Sequence, residues 1–163
     1  RSRIFVLPGA SALYPELTGA EHLQMWARMR GGTIAMPWQW DLCKTWIDSS
    51  PLLDRLESPV STYSAGMRQQ LLLADLFAHE TAEIAFLDEA LNTLDVSARK
   101  RLAGMASLWC KAGRSMVIAT HDRDGWVSQM GDHVLGDQVR DISLSKTSVQ
   151  PLPQASYAAS TVS

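Results

Sequence analysis

The apolar positions of this chain change period part-way along it. Residues 4–7 form a short unbroken apolar run stopped by Pro8-Gly9, which predicts a strand buried on both faces. A loop follows through Pro15. Thr18 with Glu21 three residues later makes a capping box, and Leu23, Trp26, Ala27 and Arg30 then recur at helical spacing until Gly31-Gly32. Trp38, Leu42 and Trp46 fall at i, i+4 and i+8 after Pro37, predicting a second helix that starts near that proline. A third helix opens after Ser64, with Met67, Leu71 and Ala74 on one stripe and Leu73, Leu76 and Phe77 on another. Residues 18 to about 78 are therefore expected to be mostly helical.

From residue 84 the period alternates. An apolar run at 84–87 reads as a strand. A helix follows from Asp95, with Leu102, Met105, Ala106 and Trp109 on one face and a stop at Lys111-Ala112-Gly113. Residues 115–119 read as the next strand. Strand, helix and strand with short connections predict a right-handed parallel crossover unit. Val134-Leu135 and residues 139–142, around Gly136-Asp137, are expected to make a terminal hairpin. Beyond Ser143 the Ser, Thr, Pro, Gln and Ala composition buries too little surface to order itself.

Composition adds limits more than direction. The 163 residues suit one domain, and 46% apolar with 20% charged is ordinary for a globular chain. A formal charge of −2 offers no basic field, so a nucleic-acid partner is not expected and any charged ligand needs a local site. Cys43 and Cys110 stand far apart, which suits buried thiols in a reducing compartment better than a disulfide or metal site. No run reaches the roughly 18 apolar residues that cross a bilayer, and no signal-peptide layout opens the chain. The start at Arg1-Ser2-Arg3, without Met and directly before an apolar run, reads as a start inside a domain, the carboxy-terminal part of something longer.

Chemistry concentrates in residues 63–122. Asp88-Glu89 ends a strand, at the edge of a parallel sheet where such folds bind ligands. There Asp88 suits a magnesium ion held through water, because Mg²⁺ prefers hard oxygens and dehydrates reluctantly. Glu89 suits a group that orients or deprotonates water. Two acids that merely follow a buried strand are the plainer alternative. Ser64-Ala65-Gly66 opens a helix whose free N–H groups and dipole favour an anion, although an ordinary N-cap explains Ser64 as well. His121 follows the apolar residues 116–119, and Asp95 most simply caps the helix it precedes. His22, His79 and His133 read as structural or solvated. The six Trp fit helix faces better than a base-stacking platform, with Trp38 and Trp40 the exceptions to watch for exposure.

Tyr63-Ser64-Ala65-Gly66-Met67, then Asp88-Glu89, then Asn92-Thr93-Leu94-Asp95, then Ala119-Thr120-His121-Asp122, in that order, resemble the signature, Walker B, D-loop and H-loop of the ATP-binding cassette (ABC) nucleotide-binding domain. Tyr63 and Met67 are similar to the signature of exporter-type cassettes, and Ala65 stands where the family has Gly. Residues 13–23 resemble the start of the family's helical subdomain. Gly9 stands near the place of the family's Gln, and Ala90-Leu91 replace the common Pro-Thr. Asp88-Glu89-Ala90-Leu91 is similar to polysaccharide and teichoic-acid exporters, and Asn92-Thr93-Leu94-Asp95 to drug exporters. No Gly-Lys-Ser/Thr phosphate loop occurs in the 163 residues.

The resemblance implies an α/β fold: a partial P-loop (RecA-like) parallel sheet with an inserted helical subdomain. It places a partial ABC ATPase domain at residues 1–142, with the helical subdomain at about 18–78, core sheet segments at 1–10 and 80–142, and a disordered tail at 143–163. It implies an exporter subunit in which ATP with Mg²⁺ is sandwiched between two cassettes, in a homo- or heterodimer attached to a transmembrane permease at the inner face of the membrane. Glu89 would be the water-orienting base and Asp88 the magnesium residue. His121 would contact the γ-phosphate, residues 63–67 would complete the partner's site in trans, and Asp95 would cross the dimer interface. Without a phosphate loop the chain is not expected to hydrolyse ATP alone. Three readings stay open beside a working exporter subunit: a non-catalytic or degenerate subunit acting on a partner cassette, a soluble non-transport ABC protein, and an unrelated α/β domain. The last requires a strand order that separates Asp88 from His121.

Overall fold

Three apolar runs form one parallel sheet. In the computed structural model, which describes residues 3–31, 36–37, 41–79, 81–122, 125–126 and 128, these are β1 (Ile4–Val6), β2 (Ile84–Asp88) and β3 (Ser115–Ala119), in the spatial order β1-β2-β3. Ile4, Phe5 and Val6 face Ile84, Ala85 and Phe86, while Ile84 through Asp88 run beside Ser115 through Ala119. The β2–β3 connection is the expected parallel crossover through a helix. The register puts Asp88 beside Ala119, so the acids and His121 leave one sheet edge together.

β1 is not buried on both faces. Phe5 is buried, whereas Ile4 and Val6 are 50% and 66% exposed. Exposure alternates along β2 as well, with Ala85 and Leu87 inside and Ile84 and Phe86 outside. One face carries the core and the other, among the described residues, is open. An unbroken apolar run encodes the need for two covered faces, and here cover exists for one.

The helices follow their caps. α1 (Gly19–Met29) begins with the complete Thr18–Glu21 capping box and ends at Arg30, before Gly31 at φ +79°. α2 spans Asp41–Asp48, with Trp46 and Ile47 buried. α3 (Ala65–Phe77) is capped by the Ser64 hydroxyl, which accepts from the Met67 amide, and every residue from Gln70 to Phe77 is buried. α4 (Val96–Lys111) is capped by the Asp95 carboxylate and stops before Gly113, at φ +77°. Its face of Leu102, Met105, Ala106 and Trp109 is buried as its spacing predicts.

Aromatic rings join these helices. Trp46 of α2 lies 5.4 Å from Phe77 of α3, which lies 6.3 Å from Trp109 of α4. The Trp46 indole N–H donates to the Gln70 carbonyl at 2.9 Å, and Arg101 of α4 reaches Gln70 Oε1 at 3.1 Å while its guanidinium sits over Trp46. His22 is structural, as expected. Its Nε2 accepts from the Tyr14 amide, which makes Nδ1 the donor to the Thr18 carbonyl. His79 is buried edge-on to Phe5. Both thiols are free; that of Cys43 is buried, donates to the Ala74 carbonyl and is pushed well up by desolvation. No described helix is long and apolar enough to cross a membrane. Trp38, Trp40, His133, the expected hairpin and the tail lie outside the described residues.

Candidate nucleotide site

β2 delivers Asp88 to the sheet edge in an extended, exposed position. The chain then turns abruptly. Glu89 takes φ +48°, the left-handed region that a side chain with a Cβ enters at a cost of about 1–3 kcal/mol. Its amide donates to the Ala119 carbonyl of β3 at 3.0 Å, which anchors that turn to the neighbouring strand. The Glu89 carboxylate is then gripped on both oxygens: Asn92 Nδ2 donates to Oε2 at 2.6 Å, and His121 Nε2 lies 3.1 Å from Oε1. His121 itself is 96% exposed, so it can meet a ligand and Glu89 at once.

The Ser64 turn comes to the same region from α3. A Cβ built on Gly66 would stand 3.0 Å from the Thr93 carbonyl, so the first turn of α3 lies directly on the turn that follows Glu89. Ser64 and Ala65 are exposed and Met67 is partly covered. Tyr63 is different. Its side chain is 3% exposed, its hydroxyl donates to the Arg55 carbonyl at 2.6 Å, and burial pushes that hydroxyl's pKa up. The ring thus braces the turn from inside, and the surface it supports is made by Ser64, Ala65 and Gly66.

Asp95 caps α4 by accepting from the Ala98 amide at 2.7 Å, the role its position predicts, and remains exposed beside this edge. Sequence reasoning missed Arg99 and the second role of Asn92. Arg99 Nε donates to the Leu91 and Leu94 carbonyls, both at 3.2 Å, and its Nη1 to Asp122 Oδ2 at 2.6 Å. A cation in the first turn of a helix opposes the helix dipole, and that misplacement was the signal available for Arg99. Among the described residues no cluster of three or more His, Cys, Asp or Glu is placed to hold a metal. A single exposed carboxylate such as Asp88 nonetheless fits magnesium, which takes one or two protein oxygens together with phosphate and water.

The chain is 33% identical over 117 residues to human ATP-binding cassette sub-family A member 2, a match covering 72% of this chain. It is 31% identical over 110 residues, 67% of its length, to the ABC transporter ATP-binding protein YhcH of Bacillus subtilis (strain 168). The solved structure of an ATP binding subunit of an ABC transporter superposes with a TM-score of 0.62 at 25% identity, over 74% of this chain and 49% of that one.

The chain belongs to the ATP-binding cassette family. Its three-stranded parallel sheet with packed helices is a portion of the ABC ATPase fold, and the strand order excludes the unrelated α/β domain in which Asp88 and His121 are apart. The chain spans 5% of the length of the human ABC protein and 34% of that of YhcH. No family model matches it.

Proposed function

We propose that this chain forms part of the ATP-binding subunit of an ABC exporter, working in a dimer of cassettes beneath a transmembrane permease on the cytoplasmic face. One observation carries the reading. Glu89, His121 and the first turn of α3 converge on one edge of the sheet, with Glu89 held by both Asn92 and His121. In this reading Asp88 holds Mg²⁺, which supplies neutralisation of phosphate charge when bound. Glu89 orients the attacking water and takes its proton. His121 contacts the γ-phosphate while its contact with Glu89 keeps the carboxylate aimed. Ser64 and Gly66, with Ala65 and Met67, present the dipole and amides of α3 to the nucleotide of the partner cassette, with Tyr63 as their buried brace. Asp95 meets the partner across the dimer interface.

Ser64 and Ala65 stand exposed at the first turn of α3, which leaves this segment free to act in trans on a partner's nucleotide. Two assays test the reading. ATP turnover by a complete ABC cassette is expected to rise when this chain is added and to stay at its basal level with Ser64→Ala. In a version extended at its amino terminus by a phosphate-loop segment, Glu89→Gln is expected to abolish turnover while ATP stays bound. If neither the chain nor the extended version binds ATP or alters a partner's turnover, the nucleotide reading is wrong.

A further inference from the structure

We propose that Arg99 is a positioning residue that locks the turn after Glu89 to the turn that carries His121. The function of what it positions rests on the nucleotide reading above; the tie itself stands on geometry. Two turns leave adjacent strands at this edge. The first, residues 89–95, leaves β2 and holds Glu89, Asn92 and Asp95. The second, residues 120–122, leaves β3 and holds His121. Once past the Glu89 amide and Ala119 carbonyl, the ladder between the strands has ended. Beyond that point the contact of His121 with Glu89 is made by an imidazole that is 96% exposed, a weak tie on its own.

Arg99 supplies the missing connection. It stands on α4, whose start Asp95 fixes, and is itself only 20% exposed in its side chain. Its Nε caps the Leu91 and Leu94 carbonyls of the first turn, and its Nη1 binds Asp122, the residue after His121. Asp122 in turn accepts from the Gly125 amide at 3.2 Å and from Arg99 on its other oxygen, so the second turn is held at its far end. A planar fork can bond carbonyls along one edge and a carboxylate along another at fixed separation, which a lysine ammonium cannot do. The guanidinium therefore sets the distance between the acid and the histidine from outside the site, touching neither.

The test is NMR on the whole chain. Wild-type amides at Asn92, Thr93, His121 and Asp122 are expected to show order parameters near 0.85, the rigid range, with a nuclear Overhauser contact between the His121 ring and the Glu89 side chain. In Arg99→Ala both turns are expected to fall toward about 0.6 together and the His121–Glu89 contact to vanish, while amides inside β2 and β3 stay rigid. Arg99→Lys keeps the cation without the fork and is expected to recover the wild-type urea midpoint but not the rigidity of both turns. Asp122→Asn leaves an oxygen for Gly125 and is expected to loosen residues 120–122 alone; it keeps the question open to measurement if Arg99→Ala does not fold. Turns that stay rigid in Arg99→Ala and Asp122→Asn would overturn the tie. So would loosening of one turn without the other in Arg99→Ala, or full recovery by Arg99→Lys. None of these readouts needs nucleotide, so the tie and the nucleotide reading fail separately.

Discussion

At the scale of single residues, two glycines differ in what the backbone asks of them. Gly9, near the place where the resemblance expects Gln, has φ −71°, is exposed, and would give an added Cβ nothing closer than Ser11 Oγ at 3.7 Å. Nothing in the fold demands glycine there. Gly9→Gln is therefore expected to change stability by less than about 0.5 kcal/mol in urea denaturation. Gly66 is the reverse. Its missing Cβ would press on the Thr93 carbonyl at 3.0 Å, and that turn has little room to yield because Asn92 is bonded to Glu89 and the Leu94 carbonyl to Arg99. Alanine is the better helix former by about 1 kcal/mol, yet Gly66→Ala is expected to destabilise by roughly 1 kcal/mol net, because overpacking costs about 1–3 kcal/mol. A neutral or stabilising Gly66→Ala would mean that the turn moves freely and that α3 does not rest on it.

At the scale of elements, an ion pair joins the end of α1 to α3, with the half-buried Arg30 Nη1 2.7 Å from Oδ1 of the buried Asp75. Burial pushes the Asp75 carboxyl from 3.8 up to about 6, against the opposing pull of Arg30. Between about pH 4 and pH 6 the folded chain keeps a proton that the unfolded chain releases, so stability from this group is full below that window and is lost as pH rises through it. Asp75→Asn removes the loss. Its stability relative to wild type is expected to grow by roughly 2–3 kcal/mol from pH 4 to pH 7 and then level off, measured by urea unfolding across that range. His79, lowered by burial and by Arg30, runs in the opposite direction and cancels because both chains contain it. A difference that ignores pH would show that Asp75 is not held protonated by the fold. Local patterns made much of this level legible: the Thr18–Glu21 box, the Ser64 and Asp95 caps, the stop at Gly113 and the buried stripe of α4 are all written within a few residues of where they act. Features set by contacts far apart in sequence were not. The left-handed Glu89 depends on the β3 carbonyl 30 residues on, and Arg99 finds Asp122 23 residues away. A 13-residue helix buried along most of its length gave little periodicity to announce that Asp75 would be inside.

At the scale of the whole molecule, the sheet has a packed side and, among the described residues, an open one. α3 contributes Leu71, Leu72, Leu73, Ala74, Leu76 and Phe77, and α4 Leu102, Met105 and Trp109, to the core in which Ala85 and Leu87 are buried. On the other face Val6, Phe86 and Val117 stand in one register row at 66%, 41% and 46% exposure. Apolar side chains aligned across three strands form the kind of contiguous patch that globular surfaces rarely leave bare. The site-bearing edge is anchored in the sheet itself, through Glu89 and Ala119, so the open face and the candidate site can be tested apart. Phe86→Lys adds a charge where water already reaches the ring, and it is expected to cost no more than about 1 kcal/mol, chiefly from lower strand propensity. Leu87→Lys, one residue along and 1% exposed, drives an ammonium into the core and is expected to cost about 4 kcal/mol or more, or to abolish folding. The two variants place the same charge on opposite faces of one strand, so thermal and urea midpoints read the face. Sedimentation velocity supplies the second arm: Phe86→Lys is expected to suppress any concentration-dependent association of the chain, because the row that would meet another apolar surface then carries a charge at its centre. Equal destabilisation by the two substitutions would sink the picture, since it would require Phe86 to be covered within the folded chain as fully as Leu87.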